Sequence, residues 1–408
     1  MSRFNSVKMK GKRILIKILS RLPVSNRIIA RIRRLESQLA QNELEISHLE
    51  ALNVDLNRRL SSLDAQSVVE NFFGLLEGDQ SYTFWQHFHK NLCETYDVFS
   101  DSLGKNIPQE DLVHLLSLLL IPIARNGLKD QATGTRLFYI AESMDVHILP
   151  VHYYSPLPHT TEIPQWNWQT RFEQGVDFNV QSQLRLISLL HDYAKEMTDI
   201  RSEYDENLPN EFYWNNPAFG AMDAVIYYSM IRHFKPKRVL EVGGGYSSLV
   251  ALKARRANIE TIVDVIEPYP LDFLKSASQG LNRLIKLPVQ EVPMIEFECL
   301  AANDILFIDS THISKSGSDV NWIILNILPR LKPGVIIHFH DITLPWDYPR
   351  EWVQQKRIFY NEQFLLLALL INNPAFEILL SNYLLGAEHS DELQKAFPFL
   401  SIWGGGSF

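Results

Sequence analysis

Cysteine is almost absent from this chain of 408 residues: Cys93 and Cys299 are too few and too far apart for a disulfide framework or a zinc ribbon. Their scarcity suits a reducing compartment, and the expected location is cytoplasmic. Long hydrophobic runs are also missing. No stretch reaches the roughly 18 apolar residues that a bilayer-spanning helix needs, and the best N-terminal run, Ile14 to Leu19, is broken by Lys17. A spanning helix is therefore not expected, and no signal-peptide pattern is evident. What remains is an ordinary composition, 46% hydrophobic and 21% charged, which excludes wholesale disorder and a collagen-like chain. The length leaves room for about two to three domains.

Acid is missing from one region in particular. Residues 1–34 carry eleven Lys and Arg and no Asp or Glu, whereas the whole chain has a net charge of -8. A basic arm over 1–27, with Ile14, Leu15, Ile18, Leu19 and Leu22 interleaved, suits peripheral contact with the anionic inner membrane surface; a solvated basic tail is the plainer alternative. Nucleic acid is not expected as a partner, because the acidic body would repel its phosphates.

From Ile28 the apolar positions Ile32, Leu35, Leu39, Ile46, Leu49, Leu56, Leu60 and Leu63 step by four and three, with Asn42 and Asn53 falling in the same register. That is a coiled-coil heptad over 28–65. A homodimer through residues 28–63 buries such a seam, and a polar residue such as Asn53 at an a position favours two strands. One amphipathic helix packing on its own body is the alternative. Residues 66–147 read as a helical region without a catalytic motif. Residues 148–218 read as a linker or substrate cap: Pro150, Pro156 and Pro158 exclude a helix interior, and His152, Tyr153 and Tyr154 suit a loop over a pocket.

Beyond residue 219 the pattern changes. A helix from about Ala221 to His233 precedes short β-branched runs that alternate with helices, the signature of a parallel sheet covered on both faces. The strands read as Arg238–Val242, Thr261–Ile266, Leu284–Leu287, Asp304–Asp309 and Gly334–Asp341. A long helix, about Val353 to Asn372, then leads to two final apolar runs, Phe376–Leu384 and Phe399–Trp403.

The first strand ends in Glu241-Val-Gly-Gly-Gly-Tyr-Ser-Ser248, with a helix following at once. Gly243, Gly244 and Gly245 permit a tight turn and close approach of a ligand, while the helix opening at Tyr246 and Ser247 presents free N–H groups. The second strand ends in Glu267, where an acid can accept two ribose hydroxyl protons. A dinucleotide and S-adenosylmethionine both fit that geometry. Glu241 favours the second, since an acid at the strand tip suits a cationic amino group and sits badly near a pyrophosphate. Position 248 is also Ser, where the dinucleotide pattern has its third glycine.

With these residues the sequence resembles class I S-adenosylmethionine-dependent methyltransferases, following their acidic-x-Gly-x-Gly-x-Gly pattern at Glu241, Gly243 and Gly245 and departing at Ser247. The run Asn303-Asp-Ile-Leu-Phe-Ile-Asp-Ser-Thr-His312 and the segment His338-Phe-His-Asp-Ile342 resemble a bacterial branch linked to O-methylation of sugars and natural products. The resemblance implies an α/β, Rossmann-like fold with a seven-stranded sheet, its last two strands an antiparallel hairpin at the edge, over residues 219–408. It also implies methyl transfer to a small-molecule or glycan acceptor. A catalytically silent methyltransferase fold displayed on a coiled coil is the competing reading.

Asp309 and Asp341 terminate neighbouring strands, so both carboxylates reach one rim beside the cofactor, with His312 and His340 at the same edge. One use is a divalent metal, Mg or Mn, held by Asp309 and Asp341 as in catechol-type O-methyltransferases. The amide ligand of that pattern is replaced here by Ile342, which leans toward His340 or His312 as a general base without metal. Purely structural hydrogen bonding is the third possibility. Gln290 and Glu291 are candidates to flank the adenine, and His338 reads as a packed strand residue.

Overall fold

The computed structural model describes residues 128–408, apart from 130, 144 and 403. The basic arm, the coiled coil and most of the 66–147 region lie outside the described residues. The elements that follow are α1 (Gln131–Glu142), α2 (Val180–Ala194), α3 (Ala221–Phe234), β1 (Arg238–Val242), α4 (Tyr246–Ala257), β2 (Ile262–Ile266), α5 (Asp272–Ala277), β3 (Arg283–Ile285), α6 (Ile295–Glu298), β4 (Ile305–Ile308), α7 (Asp319–Trp322), β5 (Ile336–Phe339), α8 (Glu362–Leu370), α9 (Asn382–Glu388) and α10 (Ser390–Ala396). Residues 148–164 form turns and irregular backbone, as the prolines require.

The five strands form one parallel sheet in the order β3-β2-β1-β4-β5. Side chains alternate across it. Val239, Val263, Val265, Ile305 and Phe307 enter a core with α2, α3 and α4, while Leu240, Val242, Ile266, Leu306 and Ile308 enter a second core on the opposite face. The near-continuous apolar runs of the strands follow from burial on both sides. Helix α3 is buried along Met222–Ile231 because it packs against both α2 and α4. It ends at Lys235, in the left-handed region with φ 47°, and Pro236 stops its continuation.

At the amino end of the sheet, Asp264 is fully buried on β2 and takes charged hydrogen bonds from Arg238 (2.8 Å) and Arg283 (2.9 Å). This network closes the edge opposite the glycine turn. The order of the strands reverses between β1 and β4, and a crevice at the carboxyl ends beside that switch is where sheets of this kind take ligands.

The chain departs from expectation after β5. The long helix is broken: a π-helical turn at Trp352–Lys356 ends at Arg357 (φ 60°), and α8 begins only at Glu362. Asn361 causes the break, since its N–H donates to His312 O (3.1 Å) and its side chain accepts from Ser314 N–H (2.5 Å). The terminal hairpin is also absent among the described residues. Ser381 accepts from Leu384 N–H (3.4 Å) as an N-cap and turns the Phe376–Leu384 run into α9. Residues 404–408 instead return to β5, where Phe339 and Phe408 exchange two N–H···O bonds of 2.8 Å, an antiparallel pairing. Among the described residues no helix is long and apolar enough to cross a membrane.

Candidate active site

Two clusters of side chains meet at the carboxyl ends of β1, β4 and β5. The first is the glycine turn. Gly243 has φ 88°, and a Cβ there would stand 1.7 Å from the carbonyl oxygen of Asp309, so only glycine fits. Glu267 lies at the tip of β2, accepting from Gly244 N–H (3.2 Å) and Tyr269 N–H (2.8 Å). A Cβ on Gly245 would meet nothing within 4 Å, so open space faces the start of α4. Tyr246 opens that helix with its hydroxyl 3.3 Å from that of Tyr213, while Ser247 is buried. Gln290 donates to Gly317 O (3.0 Å), tying the turn after β3 to the loop before α7.

Glu241 does not face the crevice. It is fully enclosed, accepting from Tyr227 OH (2.8 Å) and from the Ser248 hydroxyl. Burial pushes its carboxyl up to about 7, with the two hydroxyl donors opposing the rise. Glu241, expected from sequence to meet a cationic amino group, thus lies beneath the turn with both carboxylate oxygens engaged by hydroxyls. Ser248 links it to the turn, since its Oγ also accepts from Gly245 N–H (3.3 Å).

The second cluster is ionic. His312 Nε2 lies 3.2 Å from Asp309 Oδ1 and 3.6 Å from Asp341 Oδ2, while its Nδ1 meets Glu362 Oε2 at 2.9 Å. His340 Nδ1 lies 3.4 Å from Asp309 Oδ1 and 3.6 Å from Asp341 Oδ1, and its Nε2 lies 3.4 Å from Asp223 Oδ2. These last contacts are charge pairs without hydrogen-bond alignment, for neither ring nitrogen of His340 has an aligned partner. His312 and Asp341 both hold positive φ, 60° and 55°, a conformation that costs energy in residues other than glycine and concentrates at functional sites.

Burial opposes charge on both imidazoles, yet the surrounding carboxylates win. His312 is raised to about 9 by Asp309 and Glu362, and His340 is raised well above the usual range by Asp309 and Asp223. The reverse holds at two acids: burial would raise Asp309 and Asp223, but the imidazolium groups hold Asp309 far below the carboxylate range and Asp223 at about 2. Asp341 and Glu362 are raised, burial outweighing their histidine partners. The carboxylates around them thus favour the protonated form of both histidines.

Exposure separates the roles. The side chains of Asp309 and Asp341 are 30% and 24% exposed, those of His312 and His340 each 6%. The carboxylates therefore face the crevice and the imidazoles stand behind them. Ile342, where the metal pattern of sequence has an amide, is fully buried in the core. A third donor comes from elsewhere: Asp309, His312 and Asp341 each offer one ligand atom, all within 4.8 Å of one another. Glu362 on Nδ1 orients His312 as outer carboxylates orient metal-bound imidazoles.

A cavity of about 500 Å³ opens beside Asp341 and His340, between Trp352, Tyr383 and the backbone of Gly404–Gly406. A second cavity, about 390 Å³ and mostly apolar, runs along β5 toward Phe376, and neither Asp309 nor Asp341 lines it. Tyr153 and Tyr154 of the proline-rich segment are exposed, 80% and 82%, with ring centroids 4.3 Å apart and the rings tilted by 51°. His338 is buried against Tyr227 and Phe307, as its strand position suggested.

Residues 240–342, which carry the glycine turn, Asp309, His312 and Asp341, match the family described as "Methyltransferase domain". An uncharacterized protein of Archaeoglobus fulgidus is 32% identical over 187 residues, 42% of this chain and 84% of the relative. Residues 240–342 thus carry the likeness to a methyltransferase domain. A methyltransferase domain needs a seat for a methyl donor, and the residues fit one: a glycine turn that no side chain obstructs at Gly245, an acid at the tip of β2, and open space before α4.

Three parts of the domain's site were not anticipated: Asp223, Glu362 and the segment 404–406. Each left a trace in the sequence. Asp223 and Glu362 are acids in the first turns of otherwise apolar helices, and Gly404-Gly405-Gly406 is a glycine run in a chain with 18 glycines overall.

Proposed function

We propose that this chain transfers the methyl group of S-adenosylmethionine to an oxygen acceptor, a hydroxyl of a sugar or glycan. The observation that supports this reading is the meeting of the glycine turn with the Asp309–Asp341 edge, where Asp309 O closes on Gly243 and a cavity opens beside Asp341. S-adenosylmethionine, when bound, supplies an electrophilic sulfonium methyl. Glu267 takes the ribose hydroxyls, and Glu241, through Ser248, holds the turn that receives the cofactor. Asp341 lines the acceptor cavity, which supports its role as acceptor of the hydroxyl hydrogen.

The same reading assigns Asp309, His312 Nε2 and Asp341 to a divalent cation, whose chemistry, when bound, is to lower the pKa of an acceptor hydroxyl. Carboxylate and imidazole donors suit Mg or Mn. A cation on Nε2 replaces the proton that His312 otherwise carries.

Calorimetry with S-adenosylhomocysteine tests the cofactor assignment. Glu267→Ala is expected to weaken binding by about 1 to 3 kcal/mol, since charged hydrogen bonds to the ribose are lost. Unchanged affinity removes Glu267 from the site. We also assign the 28–63 heptad to a homodimer: light scattering on the full chain should give twice 47.2 kDa, and a monomer contradicts it.

A further inference from the structure

The acceptor cavity has an unusual composition. Among the described residues its charged lining groups are Asp223, Asp341 and His340, with neither Lys nor Arg. Four carboxylates, Asp223, Asp309, Asp341 and Glu362, crowd this edge, more negative charge than one divalent cation and the His340 imidazolium together offset. An acceptor bearing phosphate or carboxylate would bring like charge into that field. An uncharged one would not.

The walls supply the shape. Trp352 and Tyr383 offer half-buried aromatic surface on one side, suited to the C–H face of a ring. Gly404–Gly406 also line the cavity, side-chain-free backbone that leaves room for a ring and its hydroxyls. The backbone wall is fixed from two directions. Asp223 accepts from Gly406 N–H (3.1 Å) and Ser407 N–H (2.9 Å), while Ile342 N–H donates to Gly406 O (2.8 Å). A Cβ on residue 405 would stand 2.2 Å from Asp223 Oδ1, and one on residue 406 would stand 2.8 Å from Asp341 Cα. The wall lies where it does because those side chains are missing.

We propose that this cavity selects an uncharged, polyhydroxylated ring, such as a neutral pyranoside, and that segment 404–406, clamped by Asp223, is the specificity-determining wall. This rests on the methyl-transfer reading above, because it takes the cavity as the acceptor site.

Saturation-transfer NMR on the full chain tests it, with methyl α-D-glucopyranoside and methyl α-D-mannopyranoside as probes and glucose 6-phosphate and glucuronate as charged counterparts. The neutral probes should show transfer, and the charged ones at least tenfold weaker binding. Ala387→Phe, an exposed position on α9 that lines the cavity, should abolish the neutral signal while calorimetric affinity for S-adenosylhomocysteine stays within twofold. Gly405→Ala should weaken neutral binding at least tenfold, with folding checked by circular dichroism. If it misfolds, Ala387→Phe decides. Equal or tighter binding of the charged probes overturns the proposal, as does no neutral binding in a protein that binds S-adenosylhomocysteine, or neutral binding unaffected by Ala387→Phe. Loss of S-adenosylhomocysteine binding alone, with neutral probes still bound, overturns the methyl-transfer reading and leaves a saccharide site.

Discussion

The carbonyl oxygen of Asp309 occupies the place where a side chain on Gly243 would stand, 1.7 Å from its Cβ position. Asp309 N–H donates to Val242 O (2.8 Å) at the same junction. The turn at the end of β1 and the acid at the end of β4 therefore meet at one backbone junction, so the glycine turn also positions Asp309.

Gly243→Ala tests that junction. The methyl group must displace the β4 tip and adopt a positive φ, so a loss of several kcal/mol of stability is expected, beyond the ~1 to 2 kcal/mol of backbone strain alone. Urea unfolding reads the stability and calorimetry the binding of S-adenosylhomocysteine. A variant with native stability and affinity would break the proposed linkage between turn and strand.

Glu241→Gln separates stability from binding through pH. The folded carboxyl sits at about 7 against an ordinary 4.5, so the native state retains a proton that the unfolded chain has released between those values. Its contribution to stability is therefore present below the ordinary value, falls as pH rises through the window, and is lost above the folded value. The difference amounts to about 3 kcal/mol. Glutamine cannot ionise, so the variant should gain on the wild type by up to that amount between pH 5 and pH 8 in urea melts. A pH-independent difference between the two proteins contradicts an ionisable, enclosed Glu241.

Much of this architecture was legible beforehand. The β1 run Arg238–Val242 matches its strand residue for residue, because an apolar strand buried on both faces announces itself by β-branched composition between polar ends. The glycine turn was equally plain, for its demand is local. What stayed hidden depends on contacts across the chain. Asp223 reaches His340 only after α3 docks, and Glu362 reaches His312 only because Asn361 breaks a helix that periodicity had joined. The terminal runs misled for a related reason: an apolar run does not say whether it pairs as a strand, and the stretch before Ser381 leads without one into a serine-capped helix.

The cation assignment is tested by adding Mn²⁺ to the chelator-treated chain and following its electron paramagnetic resonance. One ion per chain should bind, and Asp341→Ala should weaken it at least tenfold by removing one of three ligand atoms. Methyl transfer should fall with EDTA and return with Mg or Mn. Activity that survives chelation, or Mn²⁺ binding indifferent to Asp341, would return the site to a metal-free base.

The most direct measurement is a crystal structure of the full chain with S-adenosylhomocysteine. The ligand should lie across Gly243–Gly245, its ribose hydroxyls hydrogen-bonded to Glu267 in place of the Gly244 and Tyr269 amides, and its sulfur directed toward the cavity beside Asp341. A ligand bound away from the glycine turn, or a turn that stays empty at saturating concentration, would contradict a methyl donor site at the end of β1.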